Sequence, residues 1–387
     1  MSAPSPSRPG LPPLGEALRL FARRTLDHLP ASLLPRLRRA DCIALAYHAV
    51  APPGRHPVPE SLAYDTKDAT RFEADLRWLE RFTRPITLPQ LERLRLQGSP
   101  PPPPTPPATS ARRTSLPPVL ITFDDGYRES IAPAILAAQR GFAVVWFQVA
   151  GWLVPAELLP EHRAARCLAA LARMPHEQQS QLLADLTARP DWPAPAHARL
   201  RWEHRQQLSH RCGQRIDPQL ACQILALQRP IAPNNALAQL ESRLVASGHL
   251  QPAPWPFADR HDLAALTAAG VCLGAHGLTH RLLEQLPPEA ADAEIADSVH
   301  AIAALTSQPT IPFAFPYHAR GLDRARLERI RSRIPRLGLY FDMGHLRCDH
   351  PAIVQRIGAD NPHPPPPPPA SNLPTLIARA ARRPGYR

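Results

Sequence analysis

Two short segments carry side chains that could together hold a metal ion and move protons. Asp124 and Asp125 are adjacent at the end of an apolar stretch, so one carboxylate can bind a metal while the other accepts a proton from water. His276 and His280 lie four residues apart, a spacing that places both imidazoles on one face of a helical turn. Two imidazoles and one carboxylate form a common hydrolytic metal site. The pattern indicates metal-assisted hydrolysis.

Each segment also has an ordinary structural interpretation. Asp124-Asp125-Gly126 is a common way to leave a strand, because Asp tolerates turn geometry and Gly supplies positive φ. His276 and His280 could be two surface histidines in a chain that has 17 of them. The positions of both segments after apolar strands favour the metal-ligand interpretation.

The elements that must position these residues follow a strand–helix alternation, which predicts a parallel sheet. The candidate side chains fall where apolar strands end, and the carboxyl ends of parallel strands in a β/α barrel converge on one face. The candidates are His48, Asp124, Asp125, His276 and Tyr317. Strands are predicted at 42–50, 117–123, 142–149, 271–275, 311–315 and 337–341, and helices at 70–82, 88–97, 130–140, 289–306 and 322–333.

Four motifs resemble the polysaccharide deacetylase family, the NodB-homology group of carbohydrate esterase family four. The run from Ile121 to Tyr127 resembles the first motif, T-F-D-D-G, and the run from His276 to His280 resembles the second, H-[ST]-x-x-H. Residues 313–317 resemble the F-A-Y-P-Y variant of the third motif, and residues 46–50 resemble the Y-H-x-V start of the exopolysaccharide-type branch. The resemblance covers about 42–150 and 255–358.

The resemblance implies a distorted or incomplete (β/α) barrel and a role for each matching residue. Asp125, His276 and His280 would bind a divalent metal, most often Zn²⁺. Asp124 would be the general base, His48 the general acid, and the backbone N–H of Tyr317 a donor to the oxyanion. The predicted substrate-binding residues are Tyr127, Pro316 and Arg356.

The chain departs from the family pattern at two of these motifs. Gly277 lacks the hydroxyl of the usual Ser or Thr beside the metal ligands, and Ala314 stands where other branches have an arginine that orients the base. The late histidines His345, His350 and His363 are alternatives to His48 as the acid.

Composition suggests the domain organisation. Proline-rich tracts around 100–107 and 364–369 favour extended polyproline conformation and cannot join a core. Residues 155–250 have helical periodicity and no counterpart in the resemblance. We predict an N-terminal helical segment (1–40), a deacetylase domain (41–358) with a Pro-rich linker insert (99–116) and a helical insertion (155–250), and a Pro-rich C-terminal tail (359–387).

The net charge and the N-terminal sequence limit which partners and which cellular location are expected. Lys and Arg outnumber Asp and Glu by 45 to 33, but the excess is spread along the chain without a nucleic-acid reader motif, so no nucleic-acid partner is expected. No secretory signal or 18-residue apolar stretch is evident, which predicts a cytoplasmic protein. Residues 14–29 leave peripheral membrane contact through an interfacial helix as an alternative to packing on the domain.

The expected activity is metal-dependent removal of acetyl groups, with N-deacetylation favoured over O-deacetylation, from an acetylated polysaccharide or glycan precursor. One alternative is an amidohydrolase acting on a non-sugar amide. The other is a degenerate family member that binds glycan without catalysis. The sequence leaves the oligomeric state undetermined.

Overall fold

The computed structural model describes residues 41–52, 66–98, 116–155, 158, 160–188, 216, 224, 236–252, 255–343, 350–360 and 371–381. The predicted N-terminal segment (1–40) and nearly all of the predicted linker (99–116) lie outside these residues. Among the helices that are described, none has both the length and the apolar character needed to span a membrane.

The described strands form a closed parallel barrel. The strands are β1 (Ile43–Tyr47), β2 (Val50–Ala51), β3 (Lys67–Asp68), β4 (Arg84–Pro85), β5 (Pro118–Phe123), β6 (Val144–Gln148), β7 (Cys272–Ala275), β8 (Ile311–Ala314), β9 (Leu337–Asp342) and β10 (Ile353–Gly358). Seven of them close in the order β1-β10-β9-β8-β7-β6-β5, because β1 pairs in parallel with both β10 and β5. The predicted β/α barrel is confirmed.

The barrel is irregular in ways that fit its predicted distortion. β7 and β8 pair only through Ala275 and Phe313, and the β8–β9 register shifts between Ile311 and Phe313. β4 pairs with the start of β5 outside the ring, and β2 and β3 form a separate parallel pair.

Helices connect and cover the strands. They are α1 (Ala69–Phe82), α2 (Leu88–Gln97), α3 (Ile131–Gln139), α4 (Pro160–Leu171), α5 (His176–Thr187), α6 (Ala236–Ala246), α7 (Arg260–Ala268), α8 (Pro288–Ala303), α9 (Arg324–Arg333) and α10 (Leu373–Ala381). Local sequence fixes several of their starts. The Asp68 and Asp323 side chains cap α1 and α9, and Thr87 forms a capping box with Gln90 at α2.

Alternate residues of the strands belong to two hydrophobic clusters. In β5, Ile121 and Phe123 join the large cluster that includes residues of the surrounding helices, such as Leu76. Leu120 joins a smaller cluster with strand residues such as Val145. Since both faces of the barrel strands are covered, most of these strands are continuous apolar runs, which is why all of them except β10 could be predicted from sequence.

The described part of the predicted insertion has its own core. Helices α4, α5 and α6 lie between β6 and β7, and their buried residues, including Leu168 and Leu240, form a cluster separate from the barrel's. The buried Arg166 pairs with Glu241 at 2.9 Å within this unit. The boundaries 155–250 remain a prediction.

The sequence analysis missed three elements near the C-terminal half. β10 and α7 were not predicted, and residues 373–381 of the predicted tail form α10. Leu373, Ile377 and Ala380 are buried in the large cluster. The neighbouring proline tract masked this short helix, because its apolar spacing is visible only over nine residues.

Candidate active site

The polar residues singled out from sequence meet at the carboxyl ends of the barrel strands. They follow four different strands, so the barrel itself sets the separation between these groups. His48 follows β1, Asp124 and Asp125 follow β5, His276 and His280 follow β7, Tyr317 follows β8, and Asp360, which was not predicted, follows β10.

Asp125, His276 and His280 form a compact, buried ligand set. One ligand atom from each lies within 4.8 Å of the others. Oδ1 of Asp125 is 3.1 Å from Nε2 of His276 and 3.1 Å from Nε2 of His280. Ligands held at zinc-type bond lengths in a tetrahedron lie about 3.3 Å apart. The arrangement therefore fits one small divalent ion.

The hydrogen bonding of His276 gives an independent test of this fit. Nδ1 of His276 lies 2.9 Å from the carbonyl oxygen of Ala314, so Nδ1 must donate. In the neutral ring Nε2 then carries a lone pair, and this lone pair faces a carboxylate oxygen of Asp125. A cation between the two atoms would relieve that opposition. Metal-ligating histidines commonly donate their second nitrogen to a carbonyl in this way.

Backbone strain is concentrated at the site. Among the described residues, the non-glycine residues with positive φ are Asp125 (67°), His280 (59°) and Tyr317 (60°). The left-handed region is costly for such residues and persists where the surroundings enforce it, often at functional sites. The turn after Asp125 also requires Gly126, since a Cβ there would lie 2.3 Å from Oε1 of Gln148.

Glu294 on α8 holds the loop that carries both histidines. Its Oε2 accepts hydrogen bonds from the backbone N–H groups of Leu278 (2.8 Å) and Thr279 (2.9 Å), and its Oε1 accepts one from the Thr279 hydroxyl. A Cβ on Gly277 would lie 3.2 Å from the same carboxylate, and φ there is +76°. The departure from Ser or Thr at Gly277 therefore matches a loop anchored by Glu294.

Arg356 pairs with Asp124 in a bidentate ion pair. Nη1 and Nη2 of Arg356 lie 2.5 and 2.8 Å from the two carboxylate oxygens, and Nη1 also donates to Thr122. Burial raises the pKa of Asp124, but the charge and hydrogen bond of Arg356, together with His276 and His48, outweigh burial and hold that pKa below its usual range. Arg356 is buried under Asp124, so its predicted substrate contact does not fit this placement. It contacts both carboxylate oxygens of Asp124, whereas Ala314 has no side chain that could do so.

His48 pairs with Asp360, a residue that the sequence analysis missed. Nδ1 of His48 is 2.6 Å from Oδ2 of Asp360, and the His48 backbone N–H donates to Oδ1 at 3.1 Å. Burial lowers the pKa of His48, but Asp360 outweighs it, with smaller contributions from Asp125 and Asp124, and raises it to about 10. The signal in the sequence was the position of Asp360 two residues after a strand, but that strand, β10, was itself not predicted.

The other three predicted residues differ in their exposure to solvent. Tyr127 is 1% exposed and its hydroxyl lies 2.6 Å from Nε2 of His162, so it offers no surface to a substrate. Pro316 is buried and packs against the loop at Gly277. Tyr317 is 48% exposed, with its ring 5.1 Å from that of His280.

The late histidines do not join this group within the described residues. His350 precedes β10, at the amino end of the strands, and its Nδ1 accepts a hydrogen bond from Ala352 at 3.2 Å. His345 and His363 lie outside the described residues.

The fold and site define a class: a (β/α) barrel with a buried Asp-His-His ligand set and a paired carboxylate at its carboxyl face. Residues 245–332 match the polysaccharide deacetylase family model, a span that includes His276, His280 and Tyr317. Over this span the chain is similar to polysaccharide deacetylases. No curated protein sequence matches the chain significantly.

Several solved structures are similar to the chain at low identity. IcaB from Ammonifex degensii is 15% identical over 89% of this chain and 98% of its own, with a TM-score of 0.45. The Streptococcus pyogenes deacetylase PplD is 13% identical over 88% and 98%, with a TM-score of 0.46. A de-N-acetylase from Aggregatibacter actinomycetemcomitans is 13% identical over 81% and 93%, with a TM-score of 0.42.

Proposed function

We propose that the chain is a metal-dependent N-deacetylase of an acetylated polysaccharide or glycan precursor. The observation that carries the proposal is the convergence of Asp125, His276 and His280 beside a base-type carboxylate, Asp124. Asp124 lies next to the ligand set, with Oδ2 4.0 Å from Nε2 of His276.

Asp125, His276 and His280 would hold a divalent ion, most favourably Zn²⁺, given their nitrogen and oxygen ligands. When bound, such an ion polarises a carbonyl and lowers the pKa of water. The three residues are buried and come from two strand ends, so their spacing is set by the barrel. Glu294 fixes the loop on which both histidines lie.

Asp124 acts as the general base. Its ion pair with Arg356 keeps the carboxylate ionised, so that it can accept a proton from the attacking water. The water oxygen then bonds to the acetamide carbon. Arg356 also fixes the carboxylate orientation, because a bidentate guanidinium leaves little rotational freedom. The backbone N–H of Tyr317 remains our proposed donor to the oxyanion.

His48 acts as the general acid. The C–N bond breaks as His48 donates a proton to the nitrogen, which leaves as the sugar amine while acetate is released. Asp360 keeps the ring protonated at neutral pH, as the raised pKa of about 10 indicates, and orients it through Nδ1. An amine is a poor leaving group without protonation, so an acid is needed here.

We also propose that the ring of Tyr317 contacts the sugar. It is exposed and lies beside His280. Aromatic faces are apolar platforms with a polar tip, suited to the apolar face of a pyranose ring.

The test is acetate release from N-acetylglucosamine oligomers by wild-type protein, with and without chelator, and by Asp124→Asn. Asp297→Asn is the control, because Asp297 is exposed on α8. We expect release that chelator abolishes, Zn²⁺ or Co²⁺ restores and Asp124→Asn lowers by at least about 100-fold, with Asp297→Asn unchanged.

Two other outcomes would redirect the assignment. Metal binding that depends on His276 and His280, without acetate release from any glycan, would favour hydrolysis of a non-sugar amide. Absence of both metal binding and release would favour a glycan-binding protein without catalysis.

A further inference from the structure

A fully buried ammonium group lies behind the His48–Asp360 pair. Nζ of Lys67 is 2.7 Å from Oδ2 of Asp75, 2.8 Å from Oδ1 of Asn372 and 2.9 Å from the carbonyl oxygen of Ala359. Lys67 and Asp75 are both 0% exposed. A buried charge is costly unless it is paired and fully hydrogen-bonded, and here three acceptors serve the three ammonium protons.

Asp75 gathers further donors around this ammonium group. The Tyr47 hydroxyl donates to Oδ2 at 3.0 Å, and the Ser371 hydroxyl donates to Oδ1 at 2.6 Å. Burial and the Asp75 charge raise the pKa of Tyr47 well above its usual range, so its hydroxyl keeps the proton that it donates. The ammonium group of Lys67 and both carboxylate oxygens of Asp75 therefore all have hydrogen-bond partners.

The contacts of this network adjoin the catalytic pair on both sides. Tyr47 immediately precedes His48, and Ala359 immediately precedes Asp360. Asn372 also donates from Nδ2 to the Asp360 carbonyl oxygen at 3.4 Å. Both residues of the acid pair are thus attached to neighbours that the network fixes.

Two of the network residues come from beyond the second proline tract. Ser371 and Asn372 begin the segment that contains α10, whose residues Leu373 and Ile377 are fully buried against the barrel. The Asn372 side chain points to Lys67 rather than capping α10, and Ser371 accepts from the Leu373 backbone instead. Burial of α10 therefore brings Ser371 and Asn372 to the ion pair.

We propose that the Lys67–Asp75 ion pair, together with Ser371 and Asn372, forms a positioning device for the general acid. The ion pair and Asn372 fix Asp360, and Asp360 fixes the protonated ring of His48. The inference rests on the proposed function in assigning His48 as the acid. It adds that a segment beyond the Pro-rich stretch completes the active site.

The test compares two substrates in which only one needs an acid. An N-acetylglucosamine oligomer releases an amine that must be protonated, whereas 4-nitrophenyl acetate releases a phenolate that leaves unaided. The variants are Asn372→Ala, Asn372→Asp, which keeps an oxygen for Lys67, and Ser371→Ala. Thr375→Ala, on the same helix, is the matched control.

We expect Asn372→Ala to lower kcat for the oligomer by about tenfold, as small misplacements of a catalytic group do. Turnover of the aryl ester should change by less than about twofold, since its leaving group needs no acid. Asn372→Asp keeps the acceptor for Lys67 but loses the donor to Asp360, so it should recover only part of the oligomer activity. Thr375→Ala should match wild type. Ser371→Ala should show the same selective loss to a smaller extent. Equal losses on both substrates, or no loss on either, would overturn the inference.

A spectroscopic readout keeps the inference separate from the proposed function. A hydrogen bond as short as that between His48 and Asp360 should give a downfield Nδ1 proton resonance, assigned by its loss in His48→Gln. We expect Asn372→Ala to shift or broaden this resonance and Thr375→Ala to leave it unchanged. A wild-type protein inactive on every N-acetylated glycan would contradict the proposed function, while an unmoved resonance would contradict the inference.

Discussion

Asp124, the proposed general base, lies against Arg356, which holds its carboxylate charged and in one orientation. The two side chains are 2% and 3% exposed and share a bidentate contact. A lysine at this position would keep a positive charge but present one nitrogen on a flexible stem. The orientation of the base therefore depends on the guanidinium itself.

We predict that Arg356→Lys lowers kcat for acetate release by about 10- to 100-fold while metal affinity changes little. The reason is a misoriented Asp124 with an intact ligand set. Acetate assays and calorimetric metal titration would measure the two effects. Arg336→Lys is the control, since Arg336 donates to the carbonyl oxygens of Ala303 and Thr306 away from the site. If Arg356→Lys has the kcat of the wild type, the guanidinium of Arg356 is not needed to orient Asp124.

The second prediction at the residue scale concerns Asp360 and pH. An acid acts only while protonated, so His48 activity is present below its pKa, raised to about 10, and is lost as pH rises through it. In Asp360→Asn the partner that raises the pKa loses its charge. We expect the alkaline limb of kcat to move to lower pH, with Asp297→Asn unchanged. An alkaline limb that stays in place would mean that another group is the acid.

At the scale of elements, the loop between β7 and α8 owes its shape to Glu294. Its carboxylate binds two backbone N–H groups and one hydroxyl of the segment that carries His280. We predict that Glu294→Leu weakens metal affinity by about 10- to 100-fold, the usual effect of losing an outer partner of a metal site. Thr279→Val, which removes a single bond, should weaken it less. Equal affinity in all three proteins would show that the loop holds its shape without Glu294.

The insertion contacts the barrel beside the same site. His162 on α4 is hydrogen-bonded to the Tyr127 hydroxyl. The ring of Trp152 lies 6.3 Å from that of His162 and 5.6 Å from that of His280, so it contacts both. Because the hydroxyl is buried, we predict that Tyr127→Phe lowers the free energy of unfolding by about 1–3 kcal/mol.

A double-mutant cycle with His162→Phe would test that contact. The two substitutions remove the same hydrogen bond, so the double variant should cost less than the sum of the single variants by about 0.5–3 kcal/mol. Thermal or denaturant unfolding provides the values. Additive costs would mean that the two side chains are not coupled, and the insertion would then have no demonstrated link to the site.

For the whole molecule, local sequence patterns predicted the strands and the polar residues that follow them. They did not predict the long-range contacts that form when the barrel closes. Continuous apolar strands ending in His48, Asp124 and His276 were visible because each combines a short run with its terminal polar residue. The pairing of Arg356 with Asp124 joins residues 232 positions apart, and that of Lys67 with Asn372 joins residues 305 apart. No local pattern encodes such contacts, because they exist only once β1 lies between β5 and β10.

A bound metal should stabilise the folded barrel. Its ligands join the end of β5 to the loop after β7, so the ion binds the folded chain and not the unfolded one. Zinc at about 100 times its Kd would add about 2.7 kcal/mol to the free energy of unfolding. For a domain of more than 300 residues, that corresponds to a rise in Tm of roughly 3–5 °C.

The comparison that locates the effect uses two histidines. His280→Asn should abolish the rise in Tm after chelation and addition of Zn²⁺, and Asn tolerates the positive φ at that position. His261→Ala should retain it, although Asp259, His261 and Asp262 form a second, more exposed group of metal-type side chains. That group is engaged otherwise, since Asp259 caps α7 and both carboxylates bind Arg128. If the rise in Tm is retained in His280→Asn and lost in His261→Ala, the metal binds at the exposed group that contains His261 and not beside Asp124.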